Sequence, residues 1–123
     1  MKSIRKSAED YLETIYNLSL AQKQVRSVDI AMSLGVTKPS THKALSKLVL
    51  EKLVQKESYG LVSLTNEGEA LAKEILKKHQ AIKMLLVDIF GVSKNIAEID
   101  ACKIEHSLSD ETTQKLYKFL KIE

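Results

Sequence analysis

The chain has 123 residues, 44% of them hydrophobic, which is enough for one packed domain or for two small modules. Only four glycines and one proline occur, and this favours a mostly α-helical protein. No apolar run approaches the roughly 20 residues of a membrane span, and no hydrophobic signal core follows the basic residues 1–6. A single cysteine cannot form an internal disulfide. Together these features predict a cytoplasmic protein with no membrane partner.

The charge is unevenly distributed along the chain, although the net charge is only +3. Residues 1–64 contain ten Lys or Arg and six Asp or Glu, a net +4. Residues 65–123 contain nine Lys or Arg and ten Asp or Glu, a net −1. The first half is therefore the candidate for binding a polyanion such as DNA.

Residues 7 to about 20 have the 3,4 spacing of apolar positions that is typical of an amphipathic helix. Ser7 is predicted to cap this helix. Asp10 and Glu13 lie three residues apart on a different stripe. They are either ordinary acids favoured by the helix dipole or part of a binding site.

A short helix, a tight turn and a longer helix follow, the pattern of a helix-turn-helix. The first is predicted from Arg26 to Leu34 with Ser27 as its cap, and Gly35 ends it in the left-handed position. The second is predicted from about Lys38 to Lys52, with Pro39 tolerated in its first turn. Two β-prone runs at 53–56 and 61–64 then predict a hairpin, the wing.

The candidate DNA contacts are polar or cationic side chains, with one proline, on the predicted second helix, at the preceding turn and on the wing. They are Ser27, Thr37, Lys38, Pro39, Ser40, Thr41, His42, Lys43, Lys47, Lys56 and Tyr59. Lysines suit phosphates, while hydroxyls can also reach base edges. The alternative is a solvated lysine-rich face, which is common for a lone helix.

The second half is predicted to be helical throughout. Thr65 caps a long helix that ends near Phe90, a helix runs from Ser93 to about Ser107, and Ser109 caps the last helix. His79 lies on the apolar stripe of the long helix, where a lone histidine is usually a core residue.

A triplet of metal-ligand residues lies in the predicted helix that ends near residue 107. Cys102, Glu105 and His106 have i, i+3 and i+4 spacing, which places them on one helix face a few ångströms apart. Thiolate, carboxylate and imidazole all bind divalent transition metals. The alternative is a small core cysteine beside a solvated corner. Next to this triplet, His79 becomes a further candidate ligand.

Five segments, in collinear order, resemble the diphtheria-toxin-repressor family of metal-dependent transcriptional repressors. They are residues 7–16, residues 37–40 with the helix that follows, residues 60–65, residues 78–79 and residues 101–109. The resemblance implies a winged helix-turn-helix DNA-binding domain, residues 1–64, and a helical metal-binding and dimerisation domain, residues 65–123. It also implies metal bound between the two halves, which brings the recognition helices of a homodimer to the spacing of a palindromic operator in double-stranded DNA.

The ligand positions of the family fall on six residues of this chain that can bind a divalent metal. They are Asp10, Glu13, His79, Cys102, Glu105 and His106. In length and in Asp10 and Glu13 the chain resembles the manganese transport regulators, and the SH3-like third domain of the iron-responsive branch is expected to be absent. Two departures stand out. Cys102 replaces the carboxylate of the short manganese regulators, and Lys83 and Glu98 replace an acid and a histidine of the iron branch's ancillary site.

The functional hypothesis is a repressor of metal-uptake genes that Mn²⁺, or next Fe²⁺, activates for operator binding, with no organic substrate and no enzymatic activity. Zinc is expected to bind without equal activation, because it prefers a tetrahedron of four ligands. The alternatives are a metal-independent winged-helix regulator and a metal-dependent hydrolase. A homodimer interface is predicted on apolar residues of the second half, namely Leu85, Leu86, Ile89, Phe90, Ile96 and Ile99.

Overall fold

The computed structural model describes residues 6–122, so the basic N-terminal stretch interpreted above lies mostly outside the described residues. Contacts divide the chain into two compact units, one up to Lys73 and the other from Glu74. The domain boundary after residue 64 stays a prediction. Among residues 6–122, no helix is long and apolar enough to cross a lipid bilayer.

Three helices make up most of the first unit: α1 (Lys6–Ala21), α2 (Ser27–Leu34) and α3 (Lys38–Leu50). The start and end of α2 and the start of α3 follow from local chemistry. The Asp29 carboxylate accepts a hydrogen bond from the Arg26 amide at the start of α2. Gly35 ends α2 with φ 67°. The Thr37 hydroxyl accepts from the Ser40 amide at the start of α3.

Two predicted caps are wrong. Ser7 lies within α1 rather than before it. Ser27 is the first residue of α2, and the preceding Arg26 is the N-cap. α2 begins at Ser27 itself, one residue before the start that a Ser27 cap requires.

The predicted hairpin is confirmed, and it belongs to a three-stranded antiparallel sheet. The strands are β1 (Val25–Arg26), β2 (Val54–Lys56) and β3 (Leu61–Leu64), in the order β1-β3-β2. Val62 of β3 pairs with Val25 on one side and with Lys56 on the other. The predictions omitted β1. Its two residues form a strand only because β3 supplies the partner.

An apolar core joins these helices to the sheet. Its fully buried side chains in this unit are Leu12, Ile15, Ile30, Leu45, Leu48, Leu53 and Val54. Burying a leucine or isoleucine stabilises the fold by about 1.5–3 kcal/mol relative to exposure. This core fixes α3 against the sheet and leaves its opposite face in solvent.

The chain turns tightly between α3, the hairpin and the next helix, α4 (Asn66–Met84). The Thr65 hydroxyl accepts from the Gly68 amide, as predicted for a cap, and donates to the Lys52 carbonyl. Gly68 packs directly on the backbone of Leu53, where an added Cβ would lie 1.9 Å from the carbonyl oxygen. Only glycine permits this approach.

The second unit consists of the rest of α4, a π-helical segment (Leu85–Ile89), α5 (Lys94–Ile104) and α6 (Asp110–Leu120). The helical stretch ends close to the predicted Phe90, but its last turn is π-helical, because i→i+5 bonding replaces the α-helical pattern after Met84. The helix predicted to about Ser107 ends three residues earlier. The predicted Ser109 cap is confirmed, since its hydroxyl accepts from the Thr112 amide.

Several large apolar side chains of the second unit remain exposed. Those most exposed near its π-helical segment and on α5 are Ile89, Phe90, Ile96 and Ile99, each exposed by more than half. The other two predicted interface residues, Leu85 and Leu86, are half-buried. Four of the six predicted interface residues therefore lie in solvent in the single chain.

Candidate metal centre and nucleic-acid interface

Glu105 is a buried carboxylate in the second unit. It lies at the C-cap of α5, is 2% exposed, and keeps helical dihedral angles. Neither of its carboxylate oxygens has a hydrogen-bond partner among residues 6–122. An isolated buried charge costs several kcal/mol, so such a group needs a cation nearby.

His79 of α4 is the nearest basic group to Glu105 that the described residues show. Its Nδ1 lies 3.4 Å from Glu105 Oε2. The Glu105 carboxylate raises the pKa of His79 to about 9, against the lowering effect of burial. With no metal bound, His79 is therefore protonated at neutral pH and partly balances the Glu105 charge.

The other ring nitrogen of His79 faces a second carboxylate. Nε2 is hydrogen-bonded to Glu98 Oε2, and Glu98 Oε1 accepts from Lys83 Nζ at 3.3 Å. Burial alone would raise the pKa of Glu98, but His79 and Lys83 hold it below its usual value. The sequence predictions recorded Lys83 and Glu98 only as departures from a family site. A signal was available, since residue 98 lies two helical turns before Glu105 and thus on the same face of the helix.

Cys102 and His106 form the other part of the cluster. The Cys102 sulfur and a His106 ring nitrogen lie within 4.8 Å of each other. His106 Nε2 is also 3.6 Å from Glu105 Oε1. The predicted proximity of the triplet is therefore observed, although the helix ends at Ile104.

The second unit thus brings together four of the six predicted ligands: His79, Cys102, Glu105 and His106. Their donor set fits a divalent transition metal, because it combines a carboxylate, two imidazoles and a thiol. Both oxygens of Glu105 and Nδ1 of His79 lack a hydrogen-bond partner within residues 6–122, and these are the specific observations that favour a cation there. Asp10 and Glu13 lie on α1, half-buried, and their role as ligands stays a prediction.

The solvent face of α3 carries most of the predicted DNA contacts. Those exposed on α3 and at its N-cap are Thr37, Lys38, Pro39, Ser40, His42, Lys43 and Lys47. This face therefore presents three ammonium groups, hydroxyls and an imidazole.

Two predicted DNA contacts are not accessible. Thr41 is 1% exposed, and its hydroxyl donates to the Thr37 carbonyl. The Ser27 hydroxyl is buried and has no partner among residues 6–122. The helical pattern placed Thr41 on the polar face of α3, but packing turns its hydroxyl inward, as it also does for Ser27 at the start of α2. Their roles as DNA contacts stay predictions, although in this conformation neither hydroxyl faces solvent.

The wing lies beside α3 through a direct contact. Lys56 Nζ is 2.8 Å from His42 Nδ1. At the hairpin tip Tyr59 is 64% exposed, and its carbonyl accepts from the guanidinium of Arg26. The predictions missed Arg26, an exposed cation on the undetected strand β1.

Sequence models of two protein domains match the chain in tandem. Residues 3–62 match the N-terminal DNA-binding domain of iron-dependent repressors. Residues 65–122 match the iron-dependent repressor metal-binding and dimerisation domain. The exposed α3 and the acidic, imidazole-rich cluster each lie within the corresponding match.

Individual relatives agree with the domain matches. An uncharacterised HTH-type transcriptional regulator of Methanocaldococcus jannaschii is 36% identical over 93% of this chain and 92% of its own length. The transcriptional regulator MntR of Salmonella typhimurium is 37% identical over 94% of this chain and 73% of its own. The structure of the manganese regulator SloR superposes with a TM-score of 0.81 at 32% identity, over 94% of this chain. The chain spans about half the length of that solved protein, 54%.

Proposed function

The chain belongs to the diphtheria-toxin-repressor family of metal-dependent transcriptional repressors, and we propose that it represses metal-uptake genes when a divalent ion occupies its second unit. Glu105 is the observation that carries this proposal. Its buried carboxylate lacks any hydrogen bond among residues 6–122, and in the metal-free protein it has mainly the imidazolium of His79 nearby.

The ligands that we propose are His79, Cys102, Glu105 and His106, with Asp10 and Glu13 of α1 completing the set. A bound divalent ion would supply the positive charge that the carboxylates need. His79 must then give up a proton, because only a neutral imidazole can donate a lone pair to a metal. The acids repel one another without a cation, so the state in which they converge is favoured by metal.

Metal can shift the protein towards its DNA-competent state only by its preference for that state. A hundredfold preference corresponds to about 2.7 kcal/mol. This magnitude is enough to convert a minor conformation into the main one.

The DNA contacts that we propose are exposed groups of α3 together with residues of the wing. Lys38, Lys43, Lys47 and Lys56 suit phosphate oxygens. Thr37, Pro39 and Ser40 lie at the N-terminal end of α3, the part of a recognition helix that meets base edges. His42 and Tyr59 lie beside them, and Arg26 adds a further cation near the tip.

We propose a cytoplasmic homodimer that recognises a palindromic operator. The exposed side chains of Ile89, Phe90, Ile96 and Ile99 favour self-association of the second unit, because their burial against a second copy would remove apolar surface from water. Two-fold symmetric readers place their recognition helices about 34 Å apart, one turn of DNA.

The deciding experiment is anaerobic fluorescence anisotropy with a labelled palindromic duplex of the family type and a scrambled duplex as control. Mn²⁺, Fe²⁺ and Zn²⁺ are each titrated at matched free concentration. We expect Mn²⁺ to promote binding to the palindrome, Fe²⁺ to follow closely, and Zn²⁺ to bind without equal activation. Binding that is equally tight with a chelator present would support the metal-independent regulator instead. Sedimentation that gives a monomer at micromolar concentration with metal would contradict the dimer.

Cys102 allows the metal preference to be tested directly. A thiolate favours softer ions, whereas Asp10, Glu13 and Glu105 offer hard oxygens that suit manganese. Cys102→Glu should therefore shift the ratio of half-activating Mn²⁺ and Fe²⁺ concentrations further towards manganese, and Asp10→Met towards iron. An unchanged ratio for Cys102→Glu would show that the thiol is not a ligand.

We propose that the metal serves regulation and not catalysis, because the first unit presents an exposed recognition helix. A hydrolase would instead turn over phosphoester or peptide substrates when metal is added. Measuring such turnover alongside the anisotropy titration separates the two functions. Metal-stimulated turnover without metal-stimulated duplex binding would favour the enzyme.

A further inference from the structure

We propose that Glu98, held by Lys83, is a positioning residue that keeps the proton of His79 on Nε2 and leaves Nδ1 as the metal donor. This inference rests on the proposed metal-dependent function, and it adds two residues to the site. Neither is among the six ligands proposed above.

The first step is the position of His79 between two carboxylates. Nδ1 faces Glu105 Oε2 at 3.4 Å, and Nε2 is hydrogen-bonded to Glu98 Oε2. A metal-binding imidazole needs one bare ring nitrogen, and it keeps its remaining proton on the other. The surroundings of the ring therefore determine which nitrogen keeps the proton and which one binds the metal.

The two carboxylates differ in ways that settle this choice. The Glu105 side chain is 1% exposed, and neither of its oxygens has a hydrogen bond among residues 6–122. The Glu98 side chain is 52% exposed, and each of its oxygens has a partner. A cation would relieve Glu105 far more than Glu98. The metal is therefore expected on the Nδ1 side.

Lys83 completes the arrangement by binding the second oxygen of Glu98 at 3.3 Å. The ammonium group balances the charge of Glu98, so this carboxylate remains an acceptor for Nε2–H and does not compete for the metal. A histidine ligand whose second N–H donates to a carboxylate is fixed in tautomer and ring orientation, and it becomes a stronger donor. Lys83, Glu98 and His79 thus form a series of hydrogen-bonded side chains that ends at the proposed metal.

The tautomer can be read directly by NMR. The tautomer is measured in the full chain with ¹⁵N-labelled histidine and Zn²⁺, which is diamagnetic. The affinity for Mn²⁺ is measured separately, from the EPR signal of the free ion. In wild type we expect His79 to show a protonated Nε2 and a metal-bound Nδ1. Glu98→Ala should give a mixture or a change of tautomer, and it should weaken Mn²⁺ binding by about 10- to 100-fold.

Two further variants make the test specific. Glu98→Gln retains a carbonyl that accepts from Nε2–H, so it should preserve the wild-type tautomer and recover most of the affinity. Glu111→Ala removes an exposed acid from α6 and should change neither readout. Circular dichroism confirms that each variant is folded.

The possible outcomes separate the hypotheses. An unchanged tautomer and affinity in Glu98→Ala would overturn the positioning role. Equal losses in Glu98→Gln and Glu98→Ala, together with fewer ions bound, would overturn it in favour of direct ligation by Glu98. If wild type binds neither Mn²⁺ nor Zn²⁺, the proposed function itself fails.

Discussion

Buried polar groups differ between the two units. In the first unit Thr41 is the buried polar residue, and its hydroxyl bonds to the Thr37 carbonyl. The buried group that lacks a partner there, among the described residues, is the neutral hydroxyl of Ser27. In the second unit the corresponding groups are both oxygens of the Glu105 carboxylate and Nδ1 of His79.

This difference indicates how each unit is stabilised. A neutral unsatisfied hydroxyl costs about 1–3 kcal/mol, whereas a buried charge costs more. The stability of the first unit is therefore expected to depend mainly on apolar burial. The second unit contains a charge whose cost only a cation removes, so its stability should respond to metal and to pH.

The largest expected effect concerns the apolar core of the first unit. Leu45→Ala should lower the free energy of unfolding by about 3 kcal/mol, because it leaves a cavity among fully buried side chains. Urea unfolding followed by circular dichroism measures the loss. Leu50→Ala on the same helix is the matched control, since Leu50 is 83% exposed. A loss no larger than that of Leu50→Ala would contradict the assignment of Leu45 to the core.

Glu105→Gln should abolish the stabilisation by metal. At a Mn²⁺ concentration one hundred times the wild-type Kd, metal stabilises the folded wild type by about 2.7 kcal/mol, and the variant should show almost none of this. Without metal, the variant should also lose the stabilisation that protonated His79 gives beside the Glu105 carboxylate. Glu111→Gln serves as the control. A variant that is still stabilised like wild type would exclude Glu105 as a ligand.

The pH dependence should identify His79 in the metal-free protein. Its pKa is raised from 6.5 to about 9 in the folded chain, so the protonated form stabilises the fold fully below pH 6.5. This contribution, about 3 kcal/mol, is lost as the pH rises through 9. The affinity for Mn²⁺ should instead increase as the pH rises, because metal displaces that proton.

Urea unfolding at pH 6, 7.5 and 9.5, with chelator, gives the measurement. His79→Gln should remove the slope, and His42→Gln on the exposed face of α3 should retain it. The assignment would be wrong if the slope survived in His79→Gln.

The smallest expected effect concerns the surface of the first unit. Lys43→Ala should reduce the slope of log affinity for the duplex against log salt concentration by about one unit, because one phosphate contact is lost. Lys47→Ala should behave in the same way. Lys115→Ala on α6 is the control in the second unit. Unchanged slopes for both α3 variants would place the DNA-binding face elsewhere.

Features with local causes could be predicted from the sequence. Gly35, Thr37 and Ser109 determine helix ends through their own backbone or hydroxyl groups, so these ends agree with the prediction. Strand β1 could not be predicted in this way, because Val25 and Arg26 become a strand only when β3 pairs with them. The π-helical segment was missed because its residues remain apolar with helical spacing.

The candidate metal site shows the same limit. Residue type and spacing led to Cys102, Glu105 and His106. The interaction of Glu98 with His79 depends on the packing of α5 against α4, which sequence spacing does not describe. The burial of Thr41 likewise depends on what covers that part of α3. Side-chain clusters within one helix could therefore be predicted from the sequence, whereas contacts between two helices could not.

Two glycines of the first unit should differ in the mutations that they tolerate. Gly35 has φ 67° and open space around its Cα, so a random mutant library should retain asparagine there, the residue that best tolerates this backbone conformation. Gly68 has no such conformational requirement, but a side chain would collide with the Leu53 carbonyl. The library should therefore recover no substitution at Gly68, not even alanine, the strongest helix former. Sequences selected for function would show one glycine position that varies and one that never does.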